Sequence, residues 1–232
     1  MRSMVRRRGD RGSVVVEAAI VLPLLFSLVF GVLEVGGALK TYSGASNTVR
    51  AGGRAGGIAG NESTADQYMF ERMAQEAAGI ASGEIEMIIV WHAAGPGESV
   101  PAACISAAGA ATTPNTTSLG QTGTKACNVY VRPAATGGAF QMAKGLAAQP
   151  ASYYFGCTGP SDPAAGHKLD CNWAPKDRKV KISPRGTPVI KPDYVGVYIR
   201  AQHSYITGVL GNTLTVTDSG ITLLEPDSYG TT

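Results

Sequence analysis

One stretch of this chain leaves it few ways to fold. Ala18-Ala19-Ile20-Val21-Leu22-Pro23-Leu24-Leu25-Phe26-Ser27-Leu28-Val29-Phe30-Gly31-Val32-Leu33 runs sixteen residues without a charge. Continued past Glu34 to Leu39 it reaches twenty-two residues, about 33 Å of helix, enough to cross a bilayer. Arg2, Arg6, Arg7, Arg8 and Arg11 precede it, and a basic flank stays on the cytoplasmic side and sends the C-terminus outward. The competing reading is a cleaved secretory signal, whose apolar core is usually about 7–15 residues and ends in a small-x-small site. The run here is longer, and Ala38-Leu39-Lys40 is a poor cut site. Retention as an anchor is favoured.

The charge pattern supports the same division. The chain carries 20 Lys and Arg against 17 Asp and Glu, a net charge of +3. Residues 1–12 hold five of the bases and one acid, Asp10, for +4, which leaves 15 bases and 16 acids, or −1, in the other 220 residues. The basic character belongs to a leader and not to a folded face, so no nucleic-acid partner is expected.

Cys104, Cys127, Cys157 and Cys171 all follow the apolar run, and no CxxC pair gives structural-zinc spacing. Beyond a membrane the default is two disulfides. Three pairings are open to four cysteines. Neighbour pairing, Cys104 with Cys127 and Cys157 with Cys171, is favoured because each bond then closes a Gly/Pro/Thr-rich loop with little apolar support.

Residues 1–12 lack apolar periodicity and read as a flexible leader. From Thr41 to about Ala81 the sequence is weakly helical: Tyr68, Phe70, Met73, Ala77 and Ile80 form a partial stripe. Gly52, Gly53, Gly56, Gly57 and Gly60 lower helix propensity. A break near Gly60-Asn61 is predicted, with Ser63 or Thr64 capping a second helix to about Gly79. Ile85–Trp91 and Asn128–Arg132 read as strands, 93–124 as a long loop or insertion, and Phe140–Ala148 as a short helix. Lys179–Ile182, Tyr194–His203 and Leu214–Leu224 are further strands, with Gly208, Gly211 and Asn212 turning between the last two. The predicted fold is α+β: a transmembrane helix (13–39) after the leader (1–12), a helical stalk (40–82), and a small antiparallel β-sheet domain (83–232) with a long cysteine-containing insertion. Pro23 should kink the first helix, as membrane helices tolerate. Glu34, at the outer membrane edge, is expected to be solvated.

The most informative residues are Arg11-Gly12-Ser13-Val14-Val15-Val16-Glu17, a glycine before the apolar run and a carboxylate five residues after it. The pattern resembles the class III signal of type IV pilin-like proteins. Taken alone, Glu17 is equally well an acid at a helix start. Glu17-Ala18-Ala19-Ile20-Val21-Leu22-Pro23-Leu24-Leu25, Phe30-Gly31-Val32-Leu33-Glu34-Val35-Gly36 and Val49-Arg50-Ala51-Gly52-Gly53-Arg54-Ala55-Gly56 are most similar to the TadE-like family, pseudopilins of tight-adherence (Tad, or Flp) pilus systems. The similarity is strong over about residues 11–58.

That resemblance implies that a prepilin peptidase cuts between Gly12 and Ser13 on the cytoplasmic side and leaves the helix in the mature protein. It further implies that Glu17 meets the amine of a neighbouring subunit's Ser13, a pairing that sets the axial register of stacked helices. The implied partners are the membrane, the peptidase, other pilin-like subunits and the Tad inner-membrane platform proteins. The implied location is the bacterial cytoplasmic membrane, single-pass, with the C-terminal domain outside and a place on the cell surface open. Ala18 stands where many members carry an aromatic or Leu.

Neither a catalytic constellation nor a cofactor motif is visible: Gly-x-Ser-x-Gly, HExxH and Walker loops are missing. Among the three histidines, His92 and His203 fall in or beside strand-like runs. Cys157, His167 and Cys171 lack a fourth zinc ligand, so no metal is expected. Asp162, Asp170, Asp177 and Asp218 sit in turn-like sequence. The leading expectation is a non-enzymatic pseudopilin. The alternatives are an anchored extracytoplasmic binding, or adhesion, module without a role in filament assembly, and a tethered extracytoplasmic enzyme.

Overall fold

A computed structural model describes residues 10–62, 64–80, 84–110, 115–116, 126–131, 173–180, 191–208 and 210–225. Helix α1 spans Asp10–Ala59 and runs unbroken through Pro23. The Ser27 hydroxyl donates to the Pro23 carbonyl at 2.7 Å. The helix starts inside the stretch read as a flexible leader, since Asp10, Arg11 and Gly12 are already helical. It ends where predicted: Gly60 takes φ +56° and donates its N–H to the Gly56 carbonyl at 3.0 Å, a left-handed glycine stop.

Helix α2, Ala65–Glu76, follows Thr64, which makes no side-chain cap, and passes into a 3-10 turn over Ala77–Gly79. Ser63 lies outside the described residues. The stripe foreseen on α2 is buried at Phe70, Met73, Ala77 and Ile80, together with Met69.

Strands β1 (Ile85–Ala93), β2 (Asn115–Thr116), β3 (Cys127–Val131), β4 (Tyr194–Ser204) and β5 (Thr213–Leu223) form one sheet in the order β2-β3-β1-β4-β5. Every pairing is antiparallel. The architecture is α+β, a long N-terminal apolar helix followed by a small antiparallel sheet. The period-two alternation of the strands sorts their side chains between two faces. Ile88, Val90, Val195, Val197, Ile199 and Ala201 pack with α1 and α2 residues on one side. Met87, Ile89, Trp91, Val129 and Tyr198 pack on the other, with Cys104 and Ala108 of helix α3, Ala102–Ala110.

Three expectations are corrected. The stretch read as a loop after residue 93 contains α3, whose Ala-rich sequence carries good helix formers and buries Cys104 and Ala108 on the sheet. Lys179 and Val180 are irregular and not strand; the Lys179 carbonyl accepts from the Asp193 N–H at 2.8 Å, and residues 181–182 lie outside the described residues. Asp218 is in the middle of β5, paired with Ile199, and not in a turn. The expected helix at Phe140–Ala148 also lies outside the described residues.

Glycine has a packing role that propensity alone obscures. A Cβ on Gly52 or Gly56 would stand 2.7 or 2.8 Å from the sulfur of Met73 or Met69, and one on Gly53 would stand 2.7 Å from the Thr222 hydroxyl. One pair of glycines therefore admits α2 and the other admits β5 close to the α1 backbone.

Candidate functional site

The N-terminal half of α1 is built for contact with something outside the chain. Val14, Val15, Val16, Ile20, Leu24, Leu25, Phe26, Leu28, Val32 and Leu33 are all exposed. Such a continuous apolar surface is not left in water. Of the described residues, only this helix is long and apolar enough to cross a membrane. Gly12 and Ser13 lie in its first turn and are exposed, and among the described residues nothing stands within 4 Å of where a Gly12 Cβ would be. Glu17 is exposed on the same helix.

From Glu34 upward the helix changes role and becomes a wall of the domain. Glu34 is 3% exposed, which corrects the expectation of a solvated carboxylate. Its Oε1 accepts from the backbone N–H and the hydroxyl of Thr207, each at 2.5 Å. Two turns on, the Thr41 hydroxyl lies 3.1 Å from His203 Nδ1, and His203 is 3.5 Å from Glu84. Higher still, β4 and β5 follow the helix: Val197 and Val195 approach Gly52 and Gly56, and Thr222 approaches Gly53 and Gly57. The Glu225 N–H donates to the Gly57 carbonyl at 3.0 Å. The β4–β5 hairpin thus lies along α1 with its turn at the level of Glu34.

A buried polar cluster ties α2 to the sheet. Asp66, in the first turn of α2, accepts from Arg178 at 2.6 Å, Tyr130 at 2.6 Å and Asn128 at 2.8 Å. Asn128 also exchanges two hydrogen bonds with the backbone of Trp173, at 2.8 and 2.9 Å. The Arg178 guanidinium lies 4.4 Å over the Trp173 ring. Burial, then the neighbouring Asp66 charge, pushes the Tyr130 hydroxyl well above its ordinary pKa.

His92 stacks on Trp173 at 4.9 Å and pairs with Asp193 at 3.1 Å. Burial raises the Asp193 carboxyl, but hydrogen bonds from His92 and the Lys179 N–H outweigh it, so its pKa is lowered. His92, Asp193, Lys179 and Lys191 border a pocket at the end of the sheet away from Glu34. The two histidines are thus structural contacts of the fold.

Cys104 and Cys127 form a disulfide with a Cα separation of 6.3 Å that fixes α3 to β3. Cys157, Cys171, His167, Asp162 and Asp170 lie outside the described residues. Among the described residues no group of three or more His, Cys, Asp or Glu is placed to hold a metal ion.

Comparison with known families locates the recognisable part of the chain within α1. Residues 12–54 match the model of the family described as TadE-like protein. No curated protein and no solved structure matches the chain. The TadE-like segment starts at Gly12, takes in the exposed apolar residues of the N-terminal half of α1 with Glu17, and ends at Arg54 among the glycines that admit α2 and β5. It supports a pilin-like component related to Tad pili, and α1 fits a single-pass anchor.

Sequence reasoning did not foresee the link between Glu34 and Thr207 or the paired packing of the glycines. Both left a signal. Glu34 is a lone carboxylate in a long apolar run, and Gly52/Gly56 and Gly53/Gly57 repeat at four-residue spacing, one face of a helix each.

Proposed function

We propose that this protein is a membrane-anchored, non-enzymatic pilin-like component of a Tad-type pilus or related secretion assembly. Its exposed N-terminal helix packs with the helices of other pilin-like subunits, on the platform proteins of the inner membrane. The observation that carries this reading is the bare, apolar first half of α1 within a TadE-like segment, with Glu17 standing on it. The outer domain extends from the other half of the same helix, on the far side of the membrane.

Prepilin peptidase cleaves between Gly12 and Ser13 in this account. Both residues are helical, so the first turn unwinds to enter the peptidase. Gly12 suits that step, because it has no side chain to resist an extended backbone. The freed amine of Ser13 then meets Glu17 of a neighbouring subunit. A carboxylate at the apolar edge of a bilayer is costly when unpaired, and the pair offsets that cost while fixing the register.

The test is Glu17→Ala in cells carrying the pilus system. The variant inserts in the membrane and folds its outer domain, but is not recovered cross-linked to other pilin-like subunits. Wild-type levels of cross-linked assembly would remove the register role of Glu17.

A further inference from the structure

The turn between β4 and β5 is apolar, exposed and held beside the membrane helix. We infer that it is a second membrane contact, with Ile206 and Leu210 inserted in the outer leaflet next to α1. Ile206 is 83% exposed and Leu210 52%. Fourteen consecutive residues, Ser204–Thr217, carry no charge, so the turn lacks the charged side chains that usually keep an exposed hairpin in water.

Its depth follows from the helix. Thr207 is bonded to Glu34, so the turn sits at the height of residue 34. Val32, Leu33, Val35 and Leu39 around that height are themselves exposed and apolar. Counting from Glu17, which stands at the inner apolar edge, Glu34 is 17 residues along, about 26 Å of helix and close to the far side of a hydrocarbon core about 30 Å thick. The turn therefore reaches the outer boundary of the bilayer and not the water above it. Tyr42 is exposed eight residues beyond Glu34, about 12 Å further out along the helix, and Tyr205, at the base of the turn, packs edge-on to His203 at 5.5 Å. Both are in the zone where tyrosine is enriched in membrane proteins.

The geometry gives Glu34 a purpose as well. A carboxylate facing lipid is expensive, and Thr207 covers and hydrogen-bonds it from the side of the hairpin. The turn shields the one acid in the outer part of the apolar run while placing its own apolar residues against lipid. Two attachments, one spanning and one interfacial, fix the tilt of the outer domain, which a single helix leaves free to swivel.

This inference rests on the anchoring reading of α1, and the experiment separates the two. The full chain is reconstituted in phosphatidylcholine vesicles as wild type and as Ile206→Trp, Leu210→Trp and Leu24→Trp variants. The native Trp91 and Trp173 are buried, so their emission is a constant background that the quenchers do not reach. Expected are loss of Ile206→Trp and Leu210→Trp fluorescence with lipids brominated near the headgroup, and protection of both from aqueous iodide. Leu24→Trp responds to lipids brominated deep in the chain. Quenching of Ile206→Trp by iodide and not by brominated lipid, with Leu24→Trp still quenched by lipid, overturns the inference and leaves the anchor standing. Shielding from both quenchers would mean that protein covers the turn, and also overturns it. A Leu24→Trp signal untouched by brominated lipid removes the anchor, and the interfacial contact with it.

Discussion

At Gly196 the Trp91 ring occupies the space a side chain would need, since a Cβ built there stands 2.2 Å from the indole. These two residues face each other across β1 and β4, and Trp91 is fully buried, so neither can move aside. Gly196→Ala should destabilise the sheet domain by about 3 kcal/mol through overpacking, read as a lowered thermal midpoint of the detergent-solubilised chain. Tyr130 makes a different prediction. Its folded pKa lies above the ordinary value of 10.0, so above that pH the unfolded chain releases the proton while the folded chain retains it. The contribution of Tyr130 is thus fully present below pH ~10 and declines as pH rises toward the folded pKa. Tyr130→Phe should lose the hydrogen bond to Asp66 at neutral pH and show a shallower decline in melting temperature above pH ~10 than wild type. Parallel alkaline limbs would place the pH sensitivity elsewhere.

At the scale of elements, the β4–β5 hairpin is fastened to α1 at its turn by one carboxylate. Glu34→Ala removes the acceptor of the Thr207 N–H while leaving the ladder between β4 and β5 intact. The expected outcome is at least about tenfold faster amide exchange at Thr207, with exchange in β1 unchanged, because local opening is governed by local contacts. Uniform exchange across the sheet in both chains would show that Glu34 does not hold the turn. The Cys104–Cys127 bond is the second fastening, closing a sequence separation of 23. Replacing both cysteines by serine should cost about 3 kcal/mol in the chain-entropy account, and loosen α3 before the α1 side of the sheet.

These elements also show what the sequence could and could not disclose. The long apolar helix, the stop at Gly60 and the strands at Ile85, Tyr194 and Leu214 were legible, because apolar runs, a left-handed glycine and β-branched alternation are local signals. Helix α3 was not, since an Ala/Gly/Ser/Thr-rich stretch carries no amphipathic period, and its helix forms against β3 with the disulfide in place. Glu34 was misread because burial of a carboxylate depends on Thr207, 173 residues away. The Asp66 cluster was missed for the same reason: Asn128, Tyr130 and Arg178 meet that acid only once α2 is packed on the sheet.

For the whole molecule, α1 is one helix of 50 residues, about 75 Å long, that among the described residues is bare at one end and walls the sheet domain at the other. In the proposed account the bare half is where other helices or lipid lie, and the walled half passes any force on the domain directly to the bare half. If Glu17 and the amine of Ser13 join neighbouring helices, everything depends on the peptidase creating that amine. The decisive measurement is mass spectrometry of the mature N-terminus, on protein purified from membranes of cells with and without prepilin peptidase. The account predicts a chain beginning at Ser13 when the enzyme is present and an uncut leader when it is absent. Met1 at the start in both cells, or a start near Thr41 that removes the apolar helix, would contradict it.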